Sequence, residues 1–187
     1  MVKISLVMGL AALAPFSMAQ PIDQDQNQGV ASGFSFEAWV NDIIANPEGD
    51  HLSPEEAVAA ALEDGTVSSS ASSSHEKRLG PNDVVCNRNG FTSAKAPDAV
   101  SCINELARRG SQACRAKSAT KFCSIGTAEI VGVAGEGPKY DTSAPCQQVA
   151  SAAGRILDIC WRADNTVQGM NYVNGNAGLM ALHVSHP

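Results

Sequence analysis

Apolar residues recur at helical spacing in four stretches of the chain, and two of these stretches lie before residue 66. The first spans 36–44 and stops before Asn46-Pro47, a pair that ends helices. The second follows Ser53-Pro54-Glu55-Glu56, which supplies an N-cap, a proline at the first helical position and a capping-box glutamate, and Gly65 closes it. Because short amphipathic helices cannot bury their apolar faces alone, we expect these two to pair with each other or to cover apolar surface elsewhere in the chain.

The other two helical stretches lie among the cysteines. One begins at Pro97 and ends at Gly110. The other has the clearest periodicity in the chain, with Thr142 or Ser143 as the expected N-cap. Its apolar face consists of Cys146, Val149, Ala150, Ala153, Ile156, Leu157 and Cys160. Since a cysteine lies at each end of this face, we expect disulfides to join the helix to the sheet at both ends.

Segments rich in β-branched residues predict the strands. They lie at 84–86, 121–125, 127–133, 167–173 and 179–184. Asn89-Gly90 marks a turn after the first strand, and Asn174-Gly175-Asn176 marks a hairpin turn between the last two. The order β, α, β, α, β, β predicts an α+β fold: a small disulfide-stapled sandwich of two helices on one face of an antiparallel sheet, preceded by a short helical pro-segment.

The cysteines change this picture by indicating how the fold is held together. All six lie after residue 85, and an even number in a secretory chain predicts three disulfides, with fifteen possible pairings. A zinc site is not expected, because the sequence has no C-x-x-C pair and the nearest histidines, His183 and His186, lie at its far end. We predict no metal and no cofactor. The cysteines are Cys86, Cys102, Cys114, Cys123, Cys146 and Cys160.

The first 19 residues have the three regions of a signal peptide: a basic start at Lys3, an apolar run and the small-x-small site Ser17-Met18-Ala19. The sequence therefore predicts a secreted, extracellular protein. A serine-rich stretch later ends at Lys77-Arg78, a dibasic pair that a kexin-type protease of the secretory pathway can reach. A second dibasic pair, Arg108-Arg109, falls within a predicted helix, so we expect cleavage only after Arg78.

Cleavage at that site divides the chain into a signal peptide (1–19), an acidic helical pro-segment (20–78) and a mature cysteine-rich domain (79–187). The pro-segment has eleven acidic and two basic residues, a net charge of −9, whereas the mature domain has eight and ten, a net charge of +2. That charge is too small to predict nucleic-acid binding. The opposite charges favour docking of the pro-segment on the mature domain, and an inert spacer lost on cleavage is the alternative.

The mature domain lacks the patterns of common hydrolases. It has no G-x-S-x-G motif, and its predicted strands carry one acidic residue, Glu129, where a glycosidase needs two. A ribonuclease would need His183, Glu129 and Arg155 in one cleft, and nothing in their spacing brings them together. An exposed histidine on the terminal strand is the simpler interpretation of His183. We therefore predict no catalytic residues and no enzyme activity.

Several features of residues 79–184 follow one another as they do in a known family. They are the short interval from Leu79-Gly80 to Cys86, Cys123 followed by Ile125-Gly126-Thr127, a helix bounded by cysteines and a closing hairpin that begins at 169–173. In these features the sequence resembles the smut-fungus killer-toxin-like proteins and related necrosis-inducing fungal effectors. The resemblance implies an α/β sandwich, secretion by a fungus, a role in virulence or killing, and binding of a protein or membrane target on a neighbouring or host cell.

The resemblance also implies a disulfide pairing and a first surface residue to test. It pairs Cys86 with Cys160 and Cys114 with Cys146, which leaves Cys102 with Cys123. Lys121 matches a lysine of the smut-fungus toxins and is therefore the candidate target-binding residue. The chain lacks the additional disulfides of those toxins, so their channel-blocking activity is not carried over.

Two other functions remain open from the sequence. A secreted inhibitor or cell-wall carbohydrate-binding module would use exposed aromatic side chains, with Trp161 and Tyr172 as the main candidates. Against this, a tryptophan that follows a disulfide cysteine more often belongs to the core. A ribonuclease-like enzyme would depend on His183.

Overall fold

The computed structural model of the protein describes residues 33–65, 83–134 and 141–187. The predicted signal peptide and the pair Lys77-Arg78 lie outside the described residues. The helices in the described part are α1 Phe36–Ala45, α2 Pro54–Glu63, α3 Ala96–Arg108 and α4 Cys146–Cys160. The strands are β1 Val85–Cys86, β2 Ala94–Lys95, β3 Ala113–Lys117, β4 Ala119–Ile125, β5 Ala128–Val133, β6 Asp141–Pro145, β7 Thr166–Val167, β8 Gly169–Gly175 and β9 Gly178–Ser185. None of the described helices is long and apolar enough to cross a membrane.

Local chemistry sets the helix ends that the sequence predicts. The Ser35 hydroxyl accepts the Ala38 N–H at the start of α1, and Ser53 with Glu56 forms the complete capping box of α2. Gly65 follows α2 with a φ of +66°, a backbone conformation that glycine adopts without steric cost. Both short helices therefore begin and end where the sequence pattern places them.

The main sheet has five antiparallel strands in the order β1-β8-β9-β5-β4. α3 and α4 pack on one of its faces, above the fully buried Leu182 and Val184 of β9. The predicted α+β sandwich is confirmed. Its closing hairpin turns at residues 176 and 177, because Gly175 pairs with Gly178, so the turn lies slightly later than the sequence indicates.

The expected N-cap of α4 is wrong, because Thr142 and Ser143 belong to a strand. They lie in β6, which pairs with β3 in a separate two-stranded sheet that the sequence analysis did not predict. α4 begins only at Cys146, and the Cys146 N–H donates to the backbone carbonyl of Gln112 at 2.8 Å. A carbonyl from the turn after α3 thus replaces the side-chain cap.

Three disulfides use all six cysteines, as expected. They are Cys86–Cys160, Cys102–Cys123 and Cys114–Cys146. This is the pairing that the resemblance implies among the fifteen possibilities. Two of the bonds hold the ends of α4, one to β1 and one to β3, and the third holds α3 against β4. Since disulfides restrict the unfolded chain, each typically stabilises a small domain by about 2–4 kcal/mol.

Candidate functional site

A cleft of about 470 Å³ lies on the face of the main sheet that α3 and α4 leave uncovered. Successive side chains of a strand point to opposite faces, so His183 points away from its buried neighbours Leu182 and Val184. The register pairs His183 with Val131 of β5 and places Glu129 two residues further along the same face. Both Glu129 and His183 line the cleft.

Lys121 lies at the edge of this cleft, held by an ion pair with Glu129. The lysine side chain is 51% exposed, whereas the glutamate side chain is 11% exposed. A bulge in β4 falls between Lys121 and Cys123, and the Cys102–Cys123 disulfide anchors the strand immediately beyond it. The lysine side chain is therefore half exposed, while its partner is largely buried and its strand is anchored by a disulfide.

An aromatic side chain also lines the cleft. Phe91 stacks on the His183 ring, with centroids 4.9 Å apart and planes at 21°, and is itself 43% exposed. The expected exposure of His183 is wrong, because Phe91 covers its ring and only 7% of the residue is exposed. Its Nδ1 has no hydrogen-bond partner within the described residues. Burial, together with the nearby charge of Arg88, lowers the pKa of His183 below its ordinary value, which favours the neutral ring. Sequence reasoning missed Phe91, whose signal is an aromatic residue directly after the Asn89-Gly90 turn.

The three residues of the ribonuclease alternative are not brought together. Glu129 and His183 share the cleft, but Arg155 lies on α4 and pairs with Glu37 of α1. Trp161 is buried against the Phe36 ring, with centroids 5.3 Å apart, and Tyr172 is half-buried. Among the described residues that line the cleft, Phe91 is the exposed aromatic residue.

A second surface, formed by α3 and α4, is covered by α1. We call this surface the helix groove and define it by Gly154, Arg155, Asp158 and Trp161 of the α4 region together with the neighbouring face of α3. The face of α1 that enters it is buried and apolar. It consists of Phe36, Trp39, Val40 and Ile43. α2 packs beside it on α3, through the fully buried Ala57 and Ala61.

Asp158 binds the start of α1. Its carboxylate accepts the N–H of Phe36 at 2.6 Å, the N–H of Glu37 at 3.1 Å and the hydroxyl of Ser35 at 2.8 Å. Burial raises the pKa of Asp158 above its ordinary value, even though these hydrogen bonds favour the charged form. The first turn of a helix has N–H groups without partners in the helix, and Asp158 satisfies two of them.

Two further features fit α1 to α4. Arg155 pairs with the Glu37 carboxylate through both its Nε and its second terminal nitrogen. Gly154 allows close approach, since a Cβ there would lie 3.0 Å from backbone atoms of Phe36 and Glu37. In the sequence Arg155 is only a catalytic candidate, and nothing marks Asp158 or Gly154, because contacts more than 110 residues apart leave no local pattern.

The fold and its three disulfides define a small disulfide-rich α+β domain of the type found in oxidising, extracellular-type environments. The family model described as domain of unknown function DUF8794 matches residues 81–186, and the chain belongs to this family. No curated protein matches the chain. The matched range begins after the serine-rich stretch, so it includes the cleft and the helix groove but leaves out α1 and α2.

Proposed function

We propose that the protein is a secreted fungal toxin- or effector-like protein, whose residues 79–187 act by binding a protein or membrane target on a neighbouring or host cell. The observation that carries this proposal is the position of Lys121: a half-exposed cation, fixed by Glu129, at the edge of a cleft that Phe91 borders. The signal-peptide pattern, the dibasic pair and the three disulfides support export of such a domain.

This arrangement favours recognition of a macromolecule. Binding energy at protein interfaces concentrates in a few anchors, and aromatic side chains such as Phe91 are enriched at interfaces. A charged side chain such as Lys121 adds specificity, because the target must present a complementary charge. Because a disulfide anchors β4, the backbone that carries Lys121 has little conformational entropy left to lose on binding. We expect the target to place an acidic group against Lys121 and an apolar side chain against Phe91.

The test compares two lysines of equal charge and different position. Purified product would be applied to plant tissue and to fungal cells as the wild type, as Lys121→Glu and as Lys117→Glu, which alters an exposed lysine at the end of β3. We expect Lys121→Glu to lower cell killing at least tenfold and Lys117→Glu to leave it unchanged, with the same circular dichroism for all three. Equal activity of the two variants would remove Lys121 from the proposal.

The shared position of Glu129 and His183 in one cleft keeps a ribonuclease-like enzyme as the second candidate. Its specific requirement is a free histidine nitrogen, which the Nδ1 of His183 provides within the described residues. Incubation of the product with RNA tests this directly. Cleavage that disappears in His183→Ala would favour the enzyme over the binder.

A further inference from the structure

We infer that the helix groove is the binding site for an amphipathic helix of the target, and that α1 fills this groove in the uncleaved chain. Cleavage after Arg78 would make α1 exchangeable without changing the groove itself. This inference goes beyond the proposed function, because it adds a second binding surface on the helix side of the sheet, opposite the cleft. It rests on the proposed function in taking residues 79–187 to act by binding a target.

The groove recognises the beginning of a helix. Asp158 accepts two N–H groups of the first turn of α1, and every helix offers such groups because they have no partners within the helix. A buried carboxylate in this position also interacts favourably with the positive end of the helix dipole. Any helix that enters in the same direction can therefore make these bonds.

Other residues of the helix groove determine which side chains the bound helix must carry. Trp161 contacts an aromatic ring at the first helical position, where α1 has Phe36. Arg155 pairs with an acidic side chain at the second position, where α1 has Glu37. Three, four and seven positions after the aromatic residue, α1 carries buried apolar side chains. The partner we expect is thus an amphipathic helix with an aromatic first residue, an acidic second residue and this apolar spacing.

Two observations indicate that α1 is an exchangeable occupant. If α1 left, Trp161 would lose its contact with the Phe36 ring, and the polar groups of Arg155 and Asp158 would lose the bonds that they make to α1. An uncovered apolar side chain beside polar groups is typical of an interaction site. The family match provides the second observation. It includes all four named residues of the groove and excludes α1, so the groove belongs to the family's domain and its present occupant does not.

The experiment measures exchange in the secreted chain after cleavage with a kexin-type protease. The probe is a fluorescein-labelled peptide of residues 33–65, followed by fluorescence anisotropy. We expect the cleaved protein to take up the labelled peptide and the uncleaved chain not to, because its own α1 has a far higher effective concentration. Arg155→Glu in the protein should weaken uptake at least tenfold, and a peptide with Glu37→Arg should restore it.

Absence of any exchange in the cleaved protein would overturn the inference, since α1 would then be a permanent part of the core. A dimer with exchanged α1 segments, seen by native mass spectrometry, would assign the groove to a second copy of the chain and would also overturn it. Failure of the charge swap to restore uptake would contradict the role of Arg155.

Cell assays separate this inference from the proposed function. If the cleaved protein kills cells, excess unlabelled 33–65 peptide should suppress killing, because it competes for the groove. Killing that persists unchanged in excess peptide would overturn the inference and leave the proposed function standing. A cleaved protein that exchanges peptide but leaves cells unaffected would instead count against the proposed function, and with it against a target helix.

Discussion

The carboxylate of Asp158 in α4 accepts the backbone N–H of Phe36 at 2.6 Å, and in this way one helix of the cysteine-rich part stabilises the start of a helix that precedes it by more than 100 residues. The same carboxylate accepts the Ser35 hydroxyl, whose oxygen in turn accepts the Ala38 N–H. The N-terminus of α1 is thus held by a network that crosses the contact between the two helices.

Asp158→Ala and Asp158→Asn should differ in their effect on this network. The alanine variant loses all three accepted hydrogen bonds, and we expect it to lower the free energy of unfolding by about 1–2 kcal/mol, the range for loss of a helix cap. The asparagine variant keeps an acceptor oxygen and removes a charge that burial disfavours, so its loss should be smaller. Urea unfolding of the full chain measures both. Equal losses would show that the charge, and not hydrogen-bond acceptance, holds α1.

Gly154→Ala tests how closely α1 packs on α4. In the interior of an exposed helix, replacing glycine by alanine typically stabilises by about 1 kcal/mol. At position 154 the added Cβ would lie 3.0 Å from backbone atoms of Phe36 and Glu37, and backbone cannot move aside as a side-chain end can. We therefore expect the midpoint temperature of thermal unfolding of the full chain to stay the same or to fall. A rise in stability of the size that the same substitution gives in an exposed helix would contradict the observed packing.

His183 should make the stability depend on pH. Its pKa in the folded protein is lowered from an ordinary 6.5, so the unfolded chain binds the proton more readily. The neutral histidine therefore contributes to the free energy of unfolding at pH values above the ordinary pKa. This contribution is lost as the pH falls through the lowered pKa of the folded protein. Unfolding in urea between pH 7.5 and pH 5 should show this decline in the wild type.

The matched control is His183→Phe, which keeps an aromatic ring for Phe91 to stack on and removes the titrating group. The variant should lack the part of the pH dependence that the histidine contributes. If both proteins lose the same free energy of unfolding over this range, His183 is not the group responsible.

Processing can be tested by replacing either dibasic pair. We expect the wild type to be secreted as a product that begins at Leu79, whereas Lys77→Gln with Arg78→Gln should leave the chain uncut. Arg108→Gln with Arg109→Gln should not affect cleavage, since this pair closes α3 and Arg109 donates to the Phe122 carbonyl. N-terminal sequencing of the secreted protein gives the answer. A product that still begins at Leu79 without the first pair would assign the cut to another signal.

The elements that the sequence predicts best are those whose pattern is local. α1 has strong apolar periodicity and a clear stop, so its ends follow from the residues themselves. The buried face of α4 follows from its periodicity in the same way, but its start at Cys146 does not. The pairing of β3 with β6 could not be predicted in this way, because β3 alternates charged residues with small ones over only five positions. Thr142 resembles a helix cap in sequence, but its hydroxyl donates to the Gly178 carbonyl on a distant strand.

The candidate sites are less predictable from the sequence than the fold. The resemblance indicates Lys121, and the residue types of Glu129 and His183 indicate possible catalytic groups. That Glu129 and His183 share one cleft depends on the strand order of the sheet. Phe91 reaches that cleft from a loop, and Asp158 meets Phe36 only after the whole fold has formed. Contacts of this kind join residues that are far apart in the chain, and a single sequence does not encode them in any local pattern.

Infiltration of the purified product, residues 79–187 released from the secreted chain, into plant tissue and its application to fungal cells test the central claim most directly. The account predicts dose-dependent death of at least one of these cell types, which Lys121→Glu lowers at least tenfold while the fold is retained. If a correctly folded and disulfide-bonded product leaves both cell types unaffected at every dose, the proposal of a toxin- or effector-like protein is contradicted.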